Sequence, residues 1–167
     1  SGSLNFEQTI NLLRYRGRAM QNALPFGIGG MVAILGAKID EIKKILKQNE
    51  RNYLCYIAND NSDGQIVVSG KIKNLEFFEK ELKKLNIKFI RLPVSAPFHC
   101  PLMNNATNEM KKIINDTEFK KPKIEIISNV NAKPTNNVKE IKKLLIEQIE
   151  QPVRWRESIN EMINLGV

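Results

Sequence analysis

The sequence predicts an α/β protein in which a compact βαββαβ unit interrupts a larger α/β domain. Three observations carry that reading. Between residues 28 and 94, short β-branched runs alternate with segments of helical period. The flanking stretches follow another order, a helix before the unit and helix, strand, helix after it. The 167 residues suffice for one domain with a real core and a small unit inserted in it.

Residues 5–24 read as a helix that stops before Pro25. At about 100° per residue, Phe6, Thr9, Ile10, Leu12, Leu13, Ala19 and Met20 fill one broad sector and mark the face expected to be buried. Residues 31–36 then form a strand, and 39–49 an amphipathic helix with Ile42, Ile45 and Leu46 inward. Residues 54–58 are a second strand. The turn-forming run 59–64 returns the chain into a third strand at 65–70, which makes a hairpin. A helix over 74–86 and a fourth strand over 88–92 complete the split βαβ order of a ferredoxin-like unit.

After that unit, Leu102, Met103, Ala106, Met110, Ile113 and Ile114 mark one helix face. Residues 123–128 follow as a strand that leads into a loop at 129–134, and 138–149 and 155–165 read as helices. The expected division is residues 28–94 for the small unit, with 1–27 and 95–167 as parts of the larger domain. Trp155 is expected to pack its helix on the core, with Arg154 as a surface or anion-binding residue.

Composition narrows the function classes. The apolar share of 42% suits a soluble globular protein, and no run of about 18 apolar residues exists. The first residues lack the basic flank and apolar stretch of a secretory signal. Cys55 and Cys100 have no metal-site spacing and are too few for a disulfide framework, so a cytoplasmic setting and no metal are expected. The net charge of +8 raises the question of nucleic acid. Its lysines, however, punctuate amphipathic helices, and the sparse aromatic residues are not interleaved with them. A solvated coat or an acidic protein partner accounts better for the charge.

Two residues stand out for chemistry. His99, the only histidine, lies between Pro97 and Pro101 in a stiff loop that runs from a strand into a helix. Its ordinary pKa of about 6.5 suits proton transfer, although a surface or helix-capping histidine is the bland alternative. Arg16 falls inside the apolar sector, between Leu12 and Met20, while Arg14 and Arg18 lie opposite. A guanidinium there needs either a carboxylate from the protein or a bound anion. Cys100 beside His99 suggests a thiol hydrolase, but neighbouring residues point in different directions, so a small buried thiol is the better reading. Asn59 and Asn61 read as turn formers, with substrate contact as the alternative.

Six segments taken together resemble malonyl-CoA:acyl-carrier-protein transacylases, the acyltransferases of bacterial type II fatty-acid synthesis. They are Arg16-Gly17 with Met20-Gln21, Met31-Val32-Ala33-Ile34-Leu35-Gly36, and the run from Asn59 through Gly64 to Gly70. The others are the segment from Val94 to Met103, Ser128-Asn129-Val130, and Gln151-Pro152-Val153-Arg154-Trp155. The resemblance implies a hydrolase-like α/β acyltransferase core with an inserted ferredoxin-like subdomain. It implies malonyl transfer from coenzyme A to the phosphopantetheine thiol of acyl carrier protein, with no permanently bound cofactor. His99 would be the catalytic base, Arg16 the clamp for the malonyl carboxylate, and Met20 and Phe98 pocket residues. Asn129 would orient His99 or satisfy a loop.

The family's nucleophile is a serine in a Gly-His-Ser-Leu-Gly elbow, and this sequence contains no Gly-x-Ser-x-Gly. The expectation is therefore a middle portion of such an enzyme, inactive by itself. The competing reading is a non-catalytic ferredoxin-like module that binds acyl carrier protein or nucleic acid. It lacks the aromatic residues that an RNA-binding sheet uses for stacking.

Overall fold

Side-chain alternation along the strands decides how the centre of the chain folds. The computed structural model describes residues 1–48 and 53–167. Strands β1 (Gly29–Leu35), β2 (Cys55–Ser62), β3 (Gln65–Lys71) and β4 (Lys88–Arg91) form one antiparallel sheet in the order β2-β3-β1-β4. Val32 and Ile34 of β1 sit opposite Val68 and Ile66 of β3. This face packs on Ile42 and Ile45 of α2 (Ile39–Gln48) and on Leu75, Phe78 and Leu82 of α3 (Ile72–Lys84). The alternate residues Met31, Ala33, Ala58 and Val67 form a second buried face, against Leu92 and Phe98. Both sheet faces are thus covered.

The elements outside the sheet build a separate core. Helix α1 (Phe6–Asn22) begins at a capping box in which the Asn5 side chain accepts from the Gln8 amide at 2.8 Å. A single 3₁₀ turn, Pro101–Met103, leads into α4 (Asn104–Asp116). The short strands β5 (Ile126–Ile127) and β6 (Pro134–Thr135) pair with each other, and α5 (Val138–Glu147) and α6 (Trp155–Asn164) follow. Ala19, Met20, Ala96, Met103, Ala106, Met110 and Ile149 make the buried cluster of this part. The result is a mixed α/β fold.

Four expectations need correction. Residues 59–62 belong to β2, and the turn is confined to Asp63 and Gly64. These turn-forming residues are held extended by tertiary partners. Val153 N–H donates to Ala58 O at 2.8 Å, Asp60 N–H donates to Val153 O at 2.9 Å, and the register shifts by bulges on either side. The expected buried face of α1 is covered only towards its C-terminal end. Phe6, Ile10 and Leu13 are exposed, while the helix packs chiefly on α4.

The strand expected over 123–128 shrinks to two residues, since β6 is its only ladder partner among the described residues and Ile124 is exposed. Trp155 is also exposed; Ser158 is the buried residue of α6, and Arg156 anchors the helix to the sheet. Asn49, the expected last residue of α2, lies outside the described residues.

Candidate active site

The site forms where the two cores meet, in the segment between β4 and α4. Pro97 is fully buried against Gly29 at the start of β1. A Cβ at Gly29 would stand 2.2 Å from Pro97 Cδ, so only glycine admits the ring. Two residues later His99 adopts φ 58°, a left-handed conformation that costs a non-glycine residue about 1 kcal/mol or more. The loop thus stores strain at the histidine.

Gln148, the residue that ends α5, meets that ring. Its carbonyl oxygen lies 2.9 Å from His99 Nδ1, and its side-chain Nε2 lies 3.2 Å from the same nitrogen. Burial holds the imidazole pKa below its ordinary value. The Gln148 carbonyl opposes this by favouring a protonated Nδ1, and the nearby Arg16 charge adds to the lowering. His99 is therefore neutral at pH 7, with Nε2 able to take a proton when Nδ1 carries one.

Arg16 reaches the same glutamine from α1. Its guanidinium donates to Gln148 Oε1 at 2.5 Å. Among the described residues no carboxylate pairs with it, and burial pulls its pKa below the usual arginine value. The ion pair that sequence reasoning allowed for Arg16 is replaced by an amide. Arg154, by contrast, is committed to Glu157 and to the Val130 carbonyl, which argues against its reading as an anion ligand.

The other residues singled out from sequence fall around this centre. Met20 is buried in the helical core, one turn beyond Arg16. Phe98 packs against both that core and the outer face of the sheet. Asn129 lines a cleft of about 190 Å³ with Ile127, Leu144 and Gln148, and its carbonyl accepts from Arg154 N–H at 2.9 Å. Among the described residues the imidazole is hydrogen-bonded by Gln148 and not by Asn129. The Cys100 thiol is fully buried, donates to Pro97 O at 3.1 Å and has its pKa raised by burial, so it is no thiolate.

Asn59 and Asn61 are strand residues, and Asn59 bridges to Val153. Gln148 escaped sequence reasoning because its decisive group is a main-chain carbonyl, which any residue type supplies.

Known proteins are similar to this chain from end to end. A malonyl CoA-acyl carrier protein transacylase of Bacillus subtilis (strain 168) is 39% identical over 169 residues, covering 100% of this chain and 53% of the relative. One from Haemophilus influenzae is 34% identical, covering 100% and 54%. Over its full length this chain is similar to the malonyl CoA-acyl carrier protein transacylases.

Solved structures agree. The transacylase of Clostridium perfringens matches with a TM-score of 0.94 at 36% identity, covering 100% of this chain and 53% of that one. A malonyl-transacylase solved in complex with a type II PKS acyl-carrier protein matches with a TM-score of 0.94 at 32% identity, over 99% of this chain and 54% of that one. The chain spans about half the length of the transacylases it matches. No family model matches it.

Proposed function

We propose that this chain supplies the base and the carboxylate clamp of a malonyl-CoA:acyl-carrier-protein transacylase. The observation that carries the reading is one glutamine joining a neutral, oriented histidine to an arginine that has no carboxylate partner among the described residues. A serine from an elbow absent from these residues would attack the malonyl thioester carbonyl. His99 Nε2 takes the serine proton, and the Gln148 carbonyl stabilises the imidazolium through Nδ1–H. The imidazolium then returns the proton to the departing coenzyme A thiolate. In the second half, His99 deprotonates the phosphopantetheine thiol of the carrier protein, the thiolate attacks the malonyl-serine ester, and the imidazolium returns the proton to the serine oxygen as it leaves.

Arg16 would hold the malonyl carboxylate by charge-assisted, two-pronged hydrogen bonds. Phe98 would crowd a branched acyl group, a discrimination worth about 1–3 kcal/mol for one carbon. Met20 would shape the floor under Arg16, and Asn129 the wall beside Gln148. No resident cofactor is needed for these steps. The acidic carrier protein is the partner that suits a net charge of +8, and its binding should weaken steeply with salt.

The same reading extends to architecture. The sheet order β2-β3-β1-β4 with both helices on one face supports a ferredoxin-like subdomain over residues 28–94. Residues 1–27 and 95–167 would belong to a hydrolase-like acyltransferase core. The exposed row Phe6, Ile10 and Leu13 gives a protein of the relatives' length an apolar surface on which to continue that core. An RNA-binding module finds no support, because both faces of its sheet are covered.

The test is the mass of the covalent adduct after incubation with malonyl-CoA. It is measured for these 167 residues and for a version extended through a Gly-x-Ser-x-Gly elbow. Adduct on the extended protein alone is expected. A stable adduct on the 167 residues would point to another nucleophile, Cys100 first, and overturn the mechanism. In the extended protein, Arg16→Ala should impair malonyl transfer while sparing or improving uncharged acyl groups. Equal loss on both would remove the clamp assignment.

A further inference from the structure

Gln148 offers one ring nitrogen two incompatible partners. Its carbonyl oxygen can only accept and its amide nitrogen can only donate, yet both lie within hydrogen-bond distance of His99 Nδ1, at 2.9 and 3.2 Å. A neutral imidazole satisfies one of them at a time. With Nδ1 protonated, the ring donates to the carbonyl and Nε2 is a free base. With Nδ1 bare, the ring accepts from the amide and Nε2 carries the proton, so it cannot act as a base. The two arrangements differ by little more than one neutral hydrogen bond.

The orientation of the amide is what biases this choice. A guanidinium has five donors and no acceptor. Arg16 at 2.5 Å therefore requires Oε1 on its own side and turns the Gln148 NH₂ towards the histidine. The Arg16 contact is also replaceable, since a carboxylate can take two guanidinium donors at once and brings an opposite charge that the neutral amide oxygen lacks. A carboxylate that takes the guanidinium donors would free Oε1 and let the amide swing off Nδ1. The main-chain carbonyl stays where it is, because it belongs to the end of α5.

We propose that Gln148 is a positioning residue that couples occupancy of Arg16 by a carboxylate to the tautomer of His99. With Arg16 empty, the amide holds a share of His99 as the Nε2–H form. With a carboxylate bound, Nδ1–H to the Gln148 carbonyl prevails and Nε2 is armed. An acyl group with a terminal carboxylate thereby raises the reactivity of the base as well as its own affinity. The inference rests on the reading of Arg16 as a clamp and His99 as a base.

His99 is the only histidine, so imidazole ¹⁵N spectra of this chain report its tautomer directly. The experiment titrates the chain with malonate above pH 7.5, with malonamide as the uncharged control. Malonate should raise the ratio of Nδ1–H to Nε2–H roughly tenfold, the scale of one hydrogen bond exchanged, and malonamide should leave it unchanged. Gln148→Met keeps the carbonyl and removes the amide. It should show the Nδ1–H form at the outset and no response to malonate.

Malonate binding that Arg16→Ala abolishes, with no change of tautomer, overturns the coupling and leaves the clamp intact. Absence of Arg16-dependent binding overturns both. In an elbow-bearing enzyme, Gln148→Met should narrow the preference for malonyl over acetyl in kcat, with KM for malonyl-CoA little changed. An undiminished kcat preference would also overturn the coupling.

Discussion

Two arginines meet their surroundings by opposite rules. At the seam between β2 and α6, Arg156 places Nε 3.1 Å from both Asp60 oxygens and a terminal nitrogen 2.7 Å from one of them. Asp60 is almost fully buried, and every donor it receives there holds the sheet to the last helix. Between α1 and the end of α5, Arg16 is half-buried, and its hydrogen-bond partner among the described residues is a neutral amide. A cation used for structure is given a carboxylate in a fixed two-pronged geometry. A cation proposed to hold a ligand has instead a neutral partner that a carboxylate could displace.

The sharpest way to separate the two regions is at the histidine. In a protein that carries the elbow, His99→Ala should lower malonyl transfer by about 10²–10⁴. The urea midpoint should stay close to that of the parent, because His99 is only partly buried. Next in size is Arg156→Ala, which strands a buried carboxylate and should cost about 3 kcal/mol in denaturant unfolding. Arg16→Ala, measured the same way, should change stability by less than about 1 kcal/mol, since no buried partner is left unpaired. Equal losses from the two arginines would erase the contrast.

Gly29→Ala probes the contact that joins the regions. The new methyl meets a proline ring at 2.2 Å, and the overpacking should cost about 1–3 kcal/mol and displace the His99 loop. Smallest is the effect of pH. The folded-state pKa of His99 is lowered, chiefly by burial, so the unfolded chain binds its proton first on acidification. The histidine's contribution to stability is complete above the unfolded value of about 6.5 and is lost as pH falls from there towards the folded value. The acid limb of the rate profile should likewise lie below pH 6.5.

Much of this was legible before any coordinates. The β-branched runs fixed the strands because period-two alternation has few other solutions, and the helical period over residues 5–24 marked α1. His99 and Arg16 were visible as a stiffened base and a misplaced cation. Residues 59–62 were misread because local turn chemistry pointed one way while Val153 and Arg156, far along the chain, pulled the other. The covered length of α1 and the burial of Trp155 depend on neighbours that periodicity does not specify. Gln148 left no trace at all, since its carbonyl acts through its place at a helix end.

The backbone of His99 has a practical consequence. At φ 58° it already occupies the region that glycine enters without penalty and alanine does not. Glycine at position 99 would thus delete the ring, relax the loop and leave an imidazole-sized vacancy beneath the Gln148 carbonyl. Imidazole added from solution would have a seat there with its acceptor in place, and chemical rescue of a His99→Gly enzyme should exceed that of His99→Ala.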